Sequence, residues 1–290
     1  MTNDLLARIV STTAEAVEAR LAARSRDTVQ REAAERAPRA GAFRAALRAH
    51  GTVNVIAECK RRSPLKGLLC ETYDAVGLAQ AYEAGGAAAI SVLTEPAFFD
   101  GALEHLTRVR QAVALPVLRK DFIVDEYQVA EARAAGADAI LLSVTVLGDR
   151  LTALVQAADR CGLATLVEVH GAEELQAADD AGAAIVGVNN RDLRTMTVRP
   201  ETCAELAERM PAGITAVAES GIRTADEIAR LRTYGYSAFL IGEQLVRSAD
   251  PGAALRELMG PNIEHEARNT THESTTHEST THVAPRTTHP

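Results

Sequence analysis

The chain has 290 residues, of which 47% are hydrophobic and 24% charged, and its formal net charge is −8 at pH 7. This composition is typical of a soluble globular protein that buries a full core. No apolar run approaches the ~18 residues of a membrane span, which argues against a membrane protein. The negative net charge argues against a general nucleic-acid-binding surface.

Two further features concern the compartment. No apolar segment precedes a small-residue cleavage site near the N-terminus, so we expect a cytoplasmic protein. The four cysteines form no C-x-x-C pair and lie in apolar or helical contexts, at Cys59, Cys70, Cys161 and Cys203. This usage favours buried, reduced thiols over a metal site or a disulfide framework.

The first 50 residues are predicted to be helical. Six apolar residues recur at helical spacing and form one stripe: Leu5, Leu6, Ile9, Val10, Val17 and Leu21. We therefore expect residues 1–50 to be a helical extension that packs on the following domain and caps one end of it. The segment carries no chemical motif.

From residue 51 one unit recurs, in which a helical pattern, a glycine and a short apolar run follow each other. The copies are AYEAGGAAAISVLT (81–94), EARAAGADAILLSV (131–144), ADRCGLATLVEV (158–169), AADDAGAAIVGVNN (177–190) and LRTYGYSAFLIGE (231–243). The glycine ends the helix, and the continuous apolar run is typical of a parallel strand covered on both faces.

Three more apolar runs complete a set of eight strands: VNVIAE (53–58), PVLRKD (116–121) and ITAVAES (214–220). The strands are expected to end near residues 58, 93, 120, 143, 168, 188, 219 and 241. Eight such units predict an α/β fold, a (β/α)₈ TIM barrel over residues 51–260. An open doubly wound sheet is the alternative, but no G-x-G-x-x-G follows the first strand.

The last segment, residues 261–290, has a different composition. It contains THEST twice, at 271–275 and 276–280, and no Leu, Phe, Tyr or Trp. Such a segment buries too little apolar area to offset the entropy of ordering, which predicts a disordered tail. Five histidines in it leave a weak transition-metal site as an alternative to a solvated low-complexity tail.

Polar residues interrupt the apolar runs where the predicted strands end, which is where barrel enzymes of this kind have their active sites. Strand 1 ends with Glu58 and Lys60, whose side chains share a face because they are two residues apart. Lys120 on strand 3 and Glu168 on strand 5 are expected to meet them. Two lysines and two glutamates in mutual contact suit proton transfer. A purely structural Lys–Glu pair is the alternative, although each desolvated charge costs stability.

The last two strands predict a phosphate site. Ser220-Gly221 and Gly242-Glu243 each precede a helical stretch, and backbone N–H groups at such places bind anions. The alternative is that these glycines only make tight turns. Opposite them, the loop KRRSPLKG (60–67) is basic and could close on an anionic substrate, or could simply be solvated.

These residues resemble the indole-3-glycerol-phosphate synthase family of tryptophan biosynthesis. The matching stretches occur in the family's order: IAECKRRSPLKG (56–67), SVLTEPAFFDG (91–101), VLRKDFIVDEYQV (117–129), LVEVH (166–170), GVNNRDL (187–193), VAESGI (217–222) and FLIGEQLV (239–246). The resemblance implies a carboxy-lyase that cyclises 1-(2-carboxyphenylamino)-1-deoxyribulose 5-phosphate to indole-3-glycerol phosphate, with loss of CO₂ and water. It also implies that no cofactor and no metal take part.

The resemblance further implies residue roles. Lys120 is similar to the general acid, Lys60 to the lysine that pairs with the substrate carboxylate, and Glu168 to the final base. The division of the proton transfers between the two lysines stays open. The remaining matches are Glu58 and Asn189, which hold the hydroxyl and the lysines; the phosphate neighbours Ser63, Ser220, Gly221, Gly242 and Glu243; and the substrate-side Arg191 and Glu219.

Some expectations are weaker. Phe99 and Phe122 are in position to flank the anthranilate ring, or only pack. Glu243 stands where a small polar residue would suit phosphate better, so only its backbone N–H is expected to bind. The tail has no counterpart in the family.

Two other functions stay open. The first is a Schiff-base aldolase that uses Lys120 or Lys60, and the second is a catalytically inactive barrel kept as a binding partner. For the enzyme we expect a small phosphorylated substrate, no nucleic acid and no membrane. The sequence does not determine the oligomeric state, and a monomer is compatible with it.

Overall fold

Eight parallel strands form a closed barrel in the computed structural model, which describes residues 5–192 and 195–260. The strands are β1 Asn54–Cys59, β2 Ala89–Leu93, β3 Val117–Lys120, β4 Ala139–Ser143, β5 Ala164–Val169, β6 Ile185–Asn189, β7 Thr215–Glu219 and β8 Ala238–Ile241. Each strand pairs with the next, and β8 pairs with β1 at Asn54 and Ala238. This last pairing closes the sheet, so the TIM barrel is confirmed and the open sheet was the wrong alternative.

Helices follow the strands around the outside of the barrel. They are α4 Ala75–Ala84, α5 Pro96–Phe99, α6 Leu103–Ala112, α7 Glu126–Ala135, α8 Val144–Leu147, α9 Leu151–Arg160, α10 Ala172–Asp180, α11 Glu201–Ala207, α12 Ala225–Thr233, α13 Glu243–Val246 and α14 Pro251–Met259, with a 3₁₀ turn at Gly148–Arg150. The two ends of α7 show why a helix starts and stops where it does. Asp125 and Gln128 form a capping box at its start, and Gly136 ends it with φ 97°.

The strands are buried on both faces, which explains their continuous apolar sequence. Ile56 and Leu166 belong to the cluster inside the barrel, whereas their neighbours Val55 and Val167 belong to the cluster between the strands and the helices. Side chains alternate along a strand, so each strand supplies both clusters.

Three helices precede the barrel: α1 Leu5–Ala23, α2 Arg26–Ala34 and α3 Ala40–Ala46. The apolar stripe predicted for this segment is present, and its Val17 packs with Val29 of α2 against Tyr127 of α7. Phe43 and Leu47, at α3, are fully buried in the cluster inside the barrel. That cluster contains alanines that are the first residues of their strands: Ala89, Ala139, Ala164 and Ala238. Helix α3 therefore fills the N-terminal end of the barrel.

Other sequence expectations have mixed outcomes. All four cysteines are free; Cys59 and Cys203 are buried, but Cys70 and Cys161 are only partly so. Among the described helices, none is long and apolar enough to cross a membrane. The predicted tail at 261–290 lies outside the described residues.

The contact of α3 with the barrel interior gives a stability prediction. Phe43→Ala should lower the free energy of unfolding by about 3–5 kcal/mol, because it opens a cavity at a fully buried site. Urea denaturation measures the change. Arg44→Ala, on the same helix and 45% exposed, is the matched control and should change stability by less than about 0.5 kcal/mol. Equal effects of the two substitutions would contradict the role given to α3.

Candidate active site

A cavity of about 510 Å³ lies at the C-terminal end of the barrel. Its lining includes all twelve residues that the sequence singled out: Glu58, Lys60, Ser63, Lys120, Glu168, Asn189, Arg191, Glu219, Ser220, Gly221, Gly242 and Glu243. Six strands and the loops that follow them supply these residues: β1, β3, β5, β6, β7 and β8. They converge because the strands are parallel and the barrel is closed.

Lys120 lies among carboxylates at the centre of this cavity. Its Nζ is 3.6 Å from Glu168 Oε2 and 3.9 Å from Glu219 Oε2. Burial alone would lower the pKa of Lys120, but the charges of Glu168, Glu219 and Glu58 outweigh it and raise this pKa above its ordinary value. Lys120 is therefore an ammonium ion at neutral pH and can donate a proton.

Glu58 and Lys60 form a second ion pair, at the end of β1. Burial would raise the pKa of Glu58, yet the nearby charges of Lys60 and Lys120 lower it below its ordinary value. Gly242 makes room for this carboxylate, because a Cβ at residue 242 would lie 2.5 Å from Glu58 Oε1. Glu58 is thus a charged acceptor that holds a lysine.

Glu219 differs from the other two glutamates. It is 1% exposed, and its Oε1 has no hydrogen-bond partner among the described residues. Burial, together with the charges of Glu168 and Glu58, raises the pKa of Glu219 to about 8, although Lys120 acts in the opposite direction. The carboxyl group therefore carries a proton at neutral pH. It lies over Gly187 of β6, where any Cβ would overlap Glu219 Oε1.

Asn189 orients Glu168. The Asn189 Nδ2 group donates to Glu168 Oε2 at 3.0 Å, and Asn189 Oδ1 accepts from the backbone N–H of Arg191 at 2.9 Å. The second contact fixes the amide, so the carboxylate receives a hydrogen bond from a rigid donor. The guanidinium of Arg191 donates in turn to the carbonyl of Met196 at 3.1 Å.

The opposite wall of the cavity carries backbone N–H groups and positive charge. Ser220 and Gly221 both have positive φ, 64° and 79°, and successive residues of this kind can form an anion-binding concavity. Gly242 precedes the short helix α13. Arg223 and Arg247 line the same cavity, and the sequence reasoning missed both. Cationic side chains close behind glycine-containing strand ends were the signal that could have identified them.

Two phenylalanines line a third part of the cavity. The rings of Phe99 and Phe122 have centroids 6.2 Å apart and are tilted by 37°. Glu95 fixes Phe99 because its carboxylate accepts from the backbone N–H groups at the start of α5. Asp121 accepts from the N–H of Phe122 at 2.9 Å. A planar aromatic group can therefore lie against this wall.

Lys66 was not singled out either, although it also lines the cavity. The chain has only three lysines, and all of them lie here. That count is visible in the sequence and could have identified Lys66.

Comparisons with known proteins now bear on this site. The family model described as indole-3-glycerol phosphate synthase matches residues 6–258. The chain belongs to the indole-3-glycerol phosphate synthase family. A family member from Roseiflexus sp. (strain RS-1) is 49% identical over 243 residues, which are 81% of this chain and 90% of that protein. Another, from Koribacter versatilis, is 48% identical over 263 residues, 90% of this chain and all of that protein.

Solved structures of other proteins resemble the fold alone. The 3-hexulose-6-phosphate synthase from Salmonella typhimurium is 12% identical with a TM-score of 0.58, covering 71% of this chain and 96% of that one. A mutant tryptophan synthase α-subunit from Pyrococcus furiosus is 16% identical with a TM-score of 0.55, covering 72% and 97%.

The contact of Gly187 with Glu219 predicts a steric effect on activity. Gly187→Ala should lower kcat by about 10-fold or more, because the added Cβ displaces a carboxylate from Lys120. Steady-state kinetics and urea denaturation test this. Gly41→Ala, where a Cβ meets open space, is the matched control. In a Glu219→Ala background, Gly187→Ala should cost much less stability, because only the contact of the added Cβ with Leu166 remains. A full additional cost would show that the overlap with Glu219 is not the cause.

The raised pKa of Glu219 predicts a pH dependence of stability. Between pH 4.5 and about 8 the folded state keeps a proton that the unfolded state has lost, so this group makes stability fall as pH rises. Above about 8 its contribution is constant. Glu219→Gln should lack this dependence. Urea denaturation of both proteins at several pH values measures the free energy of unfolding. The stability of Glu219→Gln relative to the wild type should increase with pH over that window. A difference in stability that is independent of pH would contradict a proton on Glu219.

Proposed function

We propose that Lys120, Lys60 and Glu168 carry out the proton transfers of indole ring closure. As a member of its family, the chain converts 1-(2-carboxyphenylamino)-1-deoxyribulose 5-phosphate into indole-3-glycerol phosphate, CO₂ and water, in tryptophan biosynthesis. The observation that supports the roles is a charged Lys120 between two buried glutamates, with a phosphate-suited wall across the cavity.

Lys120 is the general acid in this proposal. It protonates the substrate carbonyl oxygen while the anthranilate ring carbon attacks the carbonyl carbon. An ammonium group that neighbouring carboxylates keep charged has the right protonation state for this step. Those carboxylates also hold the Lys120 ammonium group in place to meet the substrate carbonyl oxygen, which lowers the entropic part of the activation barrier.

Lys60 binds the substrate carboxylate and supplies a proton to the departing hydroxyl group. Its partner Glu58 holds the ammonium group at the cavity wall. Glu168 then removes a proton from the substrate carbon next to the nitrogen, which completes the indole ring. Asn189 aligns Glu168 for that step through its 3.0 Å hydrogen bond.

The phosphate end is proposed at β7 and β8. Ser63, Ser220, Gly221 and Gly242 line the cavity, where backbone N–H groups at strand ends can bind an anion, and Arg223 and Arg247 add positive charge. Only the backbone of Glu243 takes part, because its carboxylate lies 3.9 Å from the Arg247 guanidinium. The phenylalanines Phe99 and Phe122 take the anthranilate ring.

A Schiff-base aldolase is less well supported. The nucleophile of that reaction is a neutral amine, and burial without a counter-charge is the usual way to obtain one. Here the carboxylates raise the pKa of Lys120, which has the opposite effect. A binding-only barrel is also less well supported, since nothing in such a role requires two lysines and three buried glutamates in one cavity.

The wider setting follows from composition and packing. We propose a cytoplasmic enzyme without a nucleic-acid partner, since the net charge of −8 repels a phosphate backbone. Residues 51–260 are proposed as one catalytic domain with residues 1–50 as its extension, and the enzyme is proposed to act as a monomer.

The proposal predicts a large loss of activity in one variant. Lys120→Ala should lower kcat at least ~10²-fold, the usual scale for losing a general acid. The assay incubates the enzyme with the carboxyphenylamino-deoxyribulose phosphate and follows indole fluorescence. Arg230→Ala removes an exposed cation of α12 that does not line the cavity and is the matched control.

Near-full turnover by Lys120→Ala would refute the assignment. Borohydride added during turnover should trap no adduct, and a covalent adduct on a lysine would favour the aldolase instead.

A further inference from the structure

His170, which follows β5, lies beside Glu168 and is not among the residues that line the cavity. Its Nε2 is 3.9 Å from Glu168 Oε1 and is buried without a hydrogen-bond partner among the described residues. The other carboxylate oxygen, Oε2, faces Lys120 and Asn189. The two oxygens of Glu168 therefore have separate partners.

The other edge of the His170 ring is fixed. Its Nδ1 is 3.2 Å from Glu174 Oε2 and 3.2 Å from Thr145 Oγ1, and the Thr145 hydroxyl donates to Glu174 Oε1 at 2.6 Å. The backbone N–H of His170 also donates to Glu174 Oε2, at 2.7 Å. The carboxylate of Glu174 thus holds a proton on Nδ1 and prevents the ring from rotating.

An imidazole between two carboxylates favours its charged form. With a proton only on Nδ1, the lone pair of Nε2 would face Glu168, whereas an imidazolium presents an N–H to it. The titratable groups near the ring are Glu168 of β5, Glu174 of α10 and Glu219 of β7, and Thr145 of α8 adds a hydroxyl. Burial lowers the pKa of His170, but the hydrogen bond to Glu174 and these charges raise it above its ordinary value.

The His170 imidazolium is a second cation near Glu168, and it can compensate the charge of Glu168 during the reaction. Once Lys120 has given its proton to the substrate, it is neutral, and Glu168 loses its nearest counter-charge while it stays 2% exposed. An unpaired buried carboxylate is costly, and this glutamate has yet to act as the base. A cation that takes no part in the proton transfers would stabilise it throughout.

We propose that His170 is a positioning residue, whose imidazolium group holds the Glu168 carboxylate in place and compensates its charge while Lys120 is neutral. The inference rests on the proposed function, in which Glu168 is the base and Lys120 the acid. His170 does not line the cavity, so it acts through Glu168 and does not touch the substrate.

The test compares pH profiles of kcat for the full chain and for His170→Asn. At pH 6 the variant should be slower by about 10-fold or more, the effect of one opposite charge at this separation. The ratio should approach one as pH rises, because the wild-type imidazolium then loses its proton as well. A ratio that is the same at every pH indicates a purely structural role and overturns the proposal.

Glu174→Gln provides an independent arm, since it removes a carboxylate that keeps His170 charged. In Glu174→Gln, His170 should lose its proton at a lower pH than in the wild type. The pH at which kcat falls to that of His170→Asn should therefore also be lower. NMR titration of His170 in both proteins measures the same shift without kinetics, and the His170 signal is the one that Glu174→Gln displaces. A wild-type His170 that titrates below pH 6.5, the ordinary value, overturns the proposal even if His170→Asn does not fold.

The outcomes separate the two proposals. Near-full turnover by Lys120→Ala refutes the assigned acid, whatever His170 does. Loss of turnover in Lys120→Ala together with a pH-independent effect of His170→Asn refutes only the role of His170.

Discussion

The contact of Lys120 with the buried carboxyl groups of Glu168 and Glu219 is the interaction on which the active site depends. Three glutamates, on β1, β5 and β7, are nearly inaccessible to water, and a buried carboxylate without a counter-charge destabilises a fold. Only closure of the barrel brings the ends of these strands to one place. The closed barrel buries the carboxylates, which costs free energy, and it also brings Lys60 and Lys120 close enough to compensate their charge.

The barrel interior is shaped to leave room for this cluster. The glutamates stand on odd-numbered strands. The glycines that face them belong to even-numbered ones: Gly187 lies in the middle of β6, and Gly242 follows β8 directly. At the opposite end, alanines at four strand starts leave space for Phe43. One end of the barrel is thus filled by an apolar plug from the N-terminal extension, and the other keeps space for charged side chains and a substrate.

Much of this could be predicted from the sequence. The strand ends were located within one residue, because a continuous apolar run marks every strand and a polar residue interrupts most of these runs at the strand end. Convergence of the polar strand ends followed from parallel strands in a closed barrel. The raised pKa of Glu219 was not predictable, since it depends on burial and on four other charged groups. Arg223 and Arg247 were missed although they follow the glycine-containing ends of β7 and β8 closely in sequence. His170 was missed because its contacts with Thr145 and Glu174 depend on the placement of α8 and α10.

The distribution of cations supports a division between chemistry and structure. The chain has 31 lysine and arginine residues, of which only three are lysines, and all three lysines line the cavity. An ammonium group can lose a proton at accessible cost, whereas a guanidinium group cannot, so only lysine suits a proton donor.

Arg119 shows the other use. It precedes Lys120 on β3 but points to the other face of the sheet, where its guanidinium pairs with Asp121 and Glu131, both at 2.9 Å. Arg20 of α1 also pairs with Glu131 at 2.9 Å, which joins the N-terminal extension to this network. Asp121 in turn fixes the backbone of Phe122 at the cavity. Lys120 and Arg119 are adjacent on β3 and face opposite sides of the sheet. Lys120 is placed for proton transfer, and Arg119 stabilises the wall of the cavity that the substrate ring would contact.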